Sequence, residues 1–141
     1  SDPGSLTMEN LYKKFKFKEN KKVFYFKNLE ESIFINLMKN ASLLAGNSSM
    51  GVLESPNLKI PVVNIGLRQK DRQNAGNIIF VKHDCKKILL AMKKSLFNSK
   101  YIQKIKSLKN PYGNGNTAKK IRKILEKIDI NSRLINKKIT Y

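Results

Sequence analysis

Acidic side chains are scarce in this chain. Ten Asp and Glu stand against 29 Lys and Arg, a formal net charge of +19 over 141 residues. There is one cysteine, Cys85, one histidine, His83, and no tryptophan. A lone thiol excludes an internal disulfide and suits a reducing compartment. One His with one Cys is too small a donor set for a protein-only zinc site, and nothing in the sequence calls for a cofactor. No close carboxylate pair and no Cys/His/Asp set is present, so the usual constellations for acid–base or nucleophilic catalysis are missing from this stretch. No apolar run approaches the ~20 residues of a membrane span, and no signal peptide is visible. The expectation is a cytoplasmic protein with no membrane partner.

What is abundant is lysine. Lys outnumbers Arg by 25 to 4, and the lysines run from Lys13 to Lys138 without gathering into one patch. Joint enrichment in Lys, Asn and Ile looks like a compositional bias of the coding sequence, and a solvated lysine surface accounts for most of the charge. Nucleic acid is therefore not the expected partner, although the positive field favours small anionic ligands. A chain of 141 residues with 40% hydrophobic content is long enough for one domain with its own core.

The periodicities predict alternating helices and strands. Residues 6–17 read as a lysine-rich helix with Leu6, Leu11 and Phe15 on one face and Ser5 or Thr7 as caps. Residues 23–26 (VFYF) read as a buried strand. Residues 30–40 read as a helix with an apolar face of Ile33, Phe34, Leu37 and Met38. Residues 41–45, 61–65 and 77–82 read as strands. Asp84 caps a helix that runs to about Phe97, and residues 100–108 continue in helical style. Asn116 or Thr117 caps a last helix carrying Ile121, Ile124, Leu125 and Ile128 at helical spacing. Residues 1–128 form the domain, and residues 129–141 read as a weakly structured tail. The opening SDPGS is loop-like and has no initiator Met, which suggests a piece of a longer protein. Four short strands alternating with helices predict a Rossmann-like α/β fold, a parallel sheet with helices on both faces. Ligands in such sheets bind beyond the C-terminal ends of the strands.

Residues 45–77 organise the chain: AGNSSMGVLESPNLKIPVVNIGLRQKDRQNAGN. A short apolar run enters a loop of small residues, GNSSMG, followed by a segment carrying Glu54. A second apolar run then leads to a loop holding Arg68 and Arg72. Gly and Ser allow backbone N–H groups to approach anionic oxygens, and guanidinium forks match phosphate geometry. The bland alternative is a turn whose serines cap the next helix. Two of only four arginines fall in one short loop, which composition alone does not explain.

The string GNSSxGxxExPxxxxPxxNxGxRQxxR, from Gly46 to Arg72, resembles the C-terminal domain of the hydrolysing UDP-N-acetylglucosamine 2-epimerases. The later NPYGNGN followed by an amphipathic helix is similar to that family, and so, more weakly, is the opening SDPGS. The resemblance covers residues 2–128 and implies one half of a two-domain, glycosyltransferase-B-type fold. It implies binding of UDP and of UDP-N-acetylglucosamine or a modified UDP-sugar, in pathways to sialic or legionaminic acids. Ser48 and Ser49 would meet the diphosphate, Glu54 the ribose hydroxyls, and Arg68 and Arg72 the nucleotide phosphates. Phe34 would lie near the uracil or serve simply as core. Backbone groups around Lys27 and Asn28 would contact the base, and Asp2 and Ser5 would belong to a loop facing the cleft.

The family draws its catalytic carboxylates and a His from an N-terminal part with no counterpart here, so no catalytic residue is expected and this piece alone should be inactive. A homo-oligomer is compatible with the family. The alternative implied by the same resemblance is the nucleotide-sugar-binding domain of another glycosyltransferase-B-type enzyme. The chain departs from the family pattern at Met50, Lys59 and Asp71. Lys59 and Asp71 stand where the family has Gly and are tolerable if φ is negative there; Asp71 could also pair with the arginines and weaken anion binding.

Overall fold

The computed structural model describes residues 4–14 and 22–136, apart from the side chains of Ser5 and Arg133. It contains two compact units, Ser1–Leu37 and Met38–Tyr141. Helix α1 (Ser5–Lys14) opens the first unit, and α2 (Glu31–Asn40) begins in it. Along α1, Lys13 lies 3.2 Å from Glu9, with Lys27 at 3.9 Å. The Lys13 hydrogen bond and charge hold the Glu9 carboxyl below its ordinary range, with the Lys27 charge adding to them. Tyr12 and Tyr25 stack at 5.3 Å between ring centroids. The predicted strand at residues 23–26 does not form: Phe24 and Phe26 are exposed, and no ladder includes them. Strand propensity describes fitness for a pleated, half-buried surface, and no strand among the described residues pairs with this segment. Ser5 is the first residue of α1 and so does not cap it, and Leu6 and Leu11 are exposed.

The second unit is built on a parallel sheet of three strands, β1 (Leu44–Gly46), β2 (Val62–Ile65) and β3 (Ile78–Val81), in that order. Leu44 pairs with Val62 and Val62 with Ile78. The first strand begins later than its apolar run suggests, because Leu44 is the first residue whose N–H meets this ladder, at the Pro61 carbonyl. Consecutive strand residues face opposite sides of a sheet, and Val62, Val63 and Asn64 are all buried. Both faces of the central strand are therefore covered, and the chain has the expected Rossmann-like α/β fold.

Helix α3 (Met50–Leu53) lies close against the sheet. A Cβ at Gly51 would stand 3.1 Å from Val62 Cγ1 and 3.5 Å from Leu44 Cδ2, so a larger residue would fit only if the Val62 side chain gave way by a few tenths of an ångström. Helix α4 (Ser55–Leu58) follows after a break at Glu54. Pro56 in its first turn has no N–H to continue the ladder of α3, which ends one helix and starts the other. Helix α5 (Cys85–Phe97) packs on β2 and β3, and α6 (Ser99–Ser107) packs on α5. Asp84 caps α5 as expected, accepting from Lys87 N–H at 3.1 Å, and Asn98 caps α6 by accepting from Tyr101 N–H at 2.9 Å. Val52, Ile60, Val62, Val63, Ala91 and Ile105 form the core. Helix α7 (Thr117–Leu125) forms without a side-chain cap from Asn116, and its Ile121, Ile124 and Leu125 are exposed. One turn of helix, α8 (Ser132–Ile135), lies in the segment read as a tail, started by Asn131 accepting from Leu134 N–H. Among the described residues, no helix is long and apolar enough to cross a membrane.

The condition of negative φ holds at Asp71 and fails at Lys59. Lys59 ends α4 with φ 57° and ψ 35°, the left-handed region, whereas φ at Asp71 is not positive. The Lys59 N–H closes the helix end onto Pro56 and Ser55 carbonyls, a geometry that favours glycine. Its ammonium donates to the Leu108 carbonyl, an exposed contact of small worth. Lys59→Gly is expected to raise stability by about 1 kcal/mol, measured by denaturant unfolding. A variant less stable than wild type would show that the Lys59–Leu108 contact outweighs the backbone strain.

Candidate anion-binding site

Two loops leave the C-terminal ends of β1 and β2 and are tied together by a side chain, and a third, residues 108–116, is hydrogen-bonded to Leu53 and Gln73. The first, residues 46–51, leaves β1. Ser48 Oγ accepts weakly from Met50 N–H at 3.4 Å. Ser49 occupies the start of α3 with helical angles (φ −60°, ψ −26°) and makes no side-chain cap bond. Capping thus explains Ser48 in part and Ser49 not at all. The N–H groups of Ser48 and Ser49 have no acceptor among the described residues.

The second loop, residues 66–76, leaves β2. Gly66 adopts φ 91°, and a Cβ there would stand 3.0 Å from His83 Cε1. Asn64, buried on β2, donates to the Gly66 carbonyl at 3.0 Å and fixes the exit. Turns closed by Lys70 N–H on Leu67 and Arg72 N–H on Gln69 carry both arginines, whose side chains are exposed. Asp71 makes no ion pair with Arg72 among the described residues, contrary to the suspected pairing.

Gln69 joins this loop to the first: its Nε2 donates to the Asn47 carbonyl at 3.1 Å from a site only 2% exposed. The third loop, residues 108–116, is joined to the end of α3 and to the second loop. Asn110 donates to the Leu53 carbonyl at 3.0 Å and accepts from Tyr112 N–H, while Tyr112 Oη donates to the Gln73 carbonyl at 2.7 Å. A buried polar chain joins α3 and α4 to the residues that lead into β2 and β3. Asn77 Nδ2 donates to Ser55 Oγ and to the Ile60 carbonyl, both at 2.8 Å, and Ser55 Oγ donates to the Gly51 carbonyl at 2.6 Å.

Of the residues singled out in the sequence, Ser48, Ser49, Arg68 and Arg72 fall on two loops joined by Gln69. Glu54 is exposed and sits at the break between α3 and α4. Phe34, half-buried on α2, and Asn28, exposed before it, belong to the first unit. Asp2 and the side chain of Ser5 lie outside the described residues. Cys85 and His83 are both exposed. The sequence reading missed Asn77, Asn110 and Tyr112 as individual residues. A polar side chain at the start of an apolar strand was the available signal for Asn77, and the NPYG string was the signal for the other two.

A family model described as UDP-N-acetylglucosamine 2-epimerase matches residues 5–126. The chain belongs to that family. It is 32% identical over 111 residues to the hydrolysing UDP-N,N'-diacetylbacillosamine 2-epimerase of Legionella pneumophila, over 79% of this chain and 28% of that protein. It is 39% identical over 79 residues to the hydrolysing GDP/UDP-N,N'-diacetylbacillosamine 2-epimerase of Campylobacter jejuni, over 56% of this chain and 21% of that protein. Polysialic acid biosynthesis protein P7 of Escherichia coli is 32% identical over 100 residues, 71% of this chain and 24% of its own length. The chain thus spans about a quarter of the length of these relatives. The epimerase-family match takes in all three loops of the site.

Proposed function

We propose that this chain is the UDP-holding part of a hydrolysing UDP-sugar 2-epimerase, one half of a glycosyltransferase-B-type pair of domains in the cytoplasm. The observation that carries the reading is the Gln69–Asn47 hydrogen bond, which holds the serine loop beside the arginine loop. In this reading the Ser48 and Ser49 N–H groups and hydroxyls receive the diphosphate. Arg68 and Arg72 neutralise it with forked donors, and Glu54 accepts from the ribose diol. The assignments of Phe34 and Asn28 to the uracil rest on the family resemblance alone.

The reaction begins with loss of UDP. A base takes the C2 proton, the C1–O bond to the diphosphate breaks, and 2-acetamidoglucal forms; water then adds to give N-acetylmannosamine or its modified counterpart. This chain's residues serve the leaving group: stabilising the diphosphate as it accumulates charge lowers the barrier to elimination. The proton-transferring groups come from the remaining length of the protein, so the chain alone binds UDP and does not turn over substrate. Two relatives carry diacetylbacillosamine in their names, which supports an N-acetylated hexose as the sugar.

Addition of UDP to the isotopically labelled chain tests the reading. Amide resonances in residues 47–51, 67–73 and 110–113 are expected to shift together with one saturation curve. Shifts confined to scattered lysines would instead mark a diffuse anion surface and sink the proposal.

A further inference from the structure

Gln69 is buried yet poorly satisfied. Its Nε2 has one acceptor, the Asn47 carbonyl, and its Oε1 has no partner among the described residues. A buried acceptor left unmet carries a desolvation cost, which a methionine of similar length would avoid. Filling the core therefore does not account for a carboxamide at this position; its one hydrogen bond does. That bond fixes a peptide plane. The described backbone contains no cis peptide, and in a planar trans peptide the C=O and the next N–H point in opposite directions. Holding the Asn47 carbonyl inward on Gln69 turns the Ser48 N–H outward, where it has no acceptor among the described residues. The backbone carbonyl of Gln69 also accepts from Arg72 N–H at 3.3 Å, closing the turn that follows Arg68. One residue thus sets the serine loop with its side chain and the arginine turn with its main chain.

We propose that Gln69 is the positioning residue of the diphosphate site, aiming the Ser48 N–H at the anion and holding the arginine loop beside it. The inference rests on the reading of residues 46–51 as the UDP-binding loop. Gln69 itself touches no phosphate; losing its side chain frees the Asn47–Ser48 peptide to rotate and point its carbonyl, a repulsive group, at the ligand.

The test compares the chain with Gln69→Met and Gln69→Glu by thermal melting, UDP and uridine titration, and the amide spectrum of the ligand-free protein. Gln69→Met is expected to melt within a few degrees of wild type and to shift the Ser48 amide resonance without ligand. It should bind UDP at least tenfold more weakly and leave uridine affinity unchanged. Gln69→Glu, which sets a carboxylate against the Asn47 carbonyl, should lose UDP binding further. Wild-type UDP affinity in folded Gln69→Met, or an unmoved Ser48 amide in its ligand-free spectrum, overturns the proposal. Should neither variant fold, the wild-type protein decides: a scalar coupling across the hydrogen bond from Gln69 Nε2 to the Asn47 carbonyl carbon, with a Ser48 amide that shifts on UDP addition, supports it. Absence of either one overturns it. A wild-type chain with the coupling intact but no UDP-dependent shift anywhere identifies failure of the UDP reading itself, which removes the ligand and the inference with it.

Discussion

Asn77→Asp is expected to lower the unfolding free energy by about 3 kcal/mol, a large fraction of what holds a small domain folded. The side chain is fully buried and donates to Ser55 Oγ and to the Ile60 carbonyl, both at 2.8 Å. Asp has nearly the same shape, so no cavity opens; what changes is that both donors disappear and a carboxylate faces two oxygens. The Ile60 carbonyl is left without its donor, and the ionised form is desolvated. Asn77→Ala should cost less than the aspartate, since it removes the donors without introducing a buried charge. Denaturant unfolding of both variants checks the order. A loss below about 1 kcal/mol for the aspartate would mean that Ser55 and Ile60 find other donors and that the polar chain under α3 is not structural.

Arg68→Ala should weaken UDP binding by about 1.5–3 kcal/mol, a factor of ten to a hundred and more, while leaving the melting temperature unchanged within a degree or two. The side chain is exposed, so its removal opens no core cavity. Arg68→Lys should recover only part of the affinity, because an ammonium provides a point charge rather than a two-pronged donor. Calorimetric titration of the three proteins at one salt concentration measures this. Equal affinity in all three would move the diphosphate away from the arginine loop.

How much of this was legible in the sequence depended on the range of the interactions. β2, β3 and α5 follow from apolar runs and from Asp84, whose capping partner is three residues away, and the structure places them within a residue or so of expectation. Residues 23–26 show the limit: VFYF has strand chemistry, but a strand exists only where a neighbour pairs with it, and that condition is tertiary. Lys59 is similar, since a lysine gives no local sign that the chain will turn through the left-handed region. The serine and arginine loops were legible as chemistry. Their juxtaposition was not, because it depends on hydrogen bonds between residues 22, 39 and 57 positions apart in the chain. Such contacts leave no periodicity, and only the family motif hinted that Gln69, Asn110 and Tyr112 mattered.

Calorimetric titration of the chain with UDP and, side by side, with uridine tests the central claim most directly. If the Ser48–Ser49 loop and the arginine loop form an anion site, UDP saturates a single site and uridine binds at least about tenfold more weakly, the worth of one charge-assisted hydrogen bond. Ser49→Ala should bring UDP toward uridine. A folded chain that binds UDP and uridine equally, or binds neither, would contradict the account.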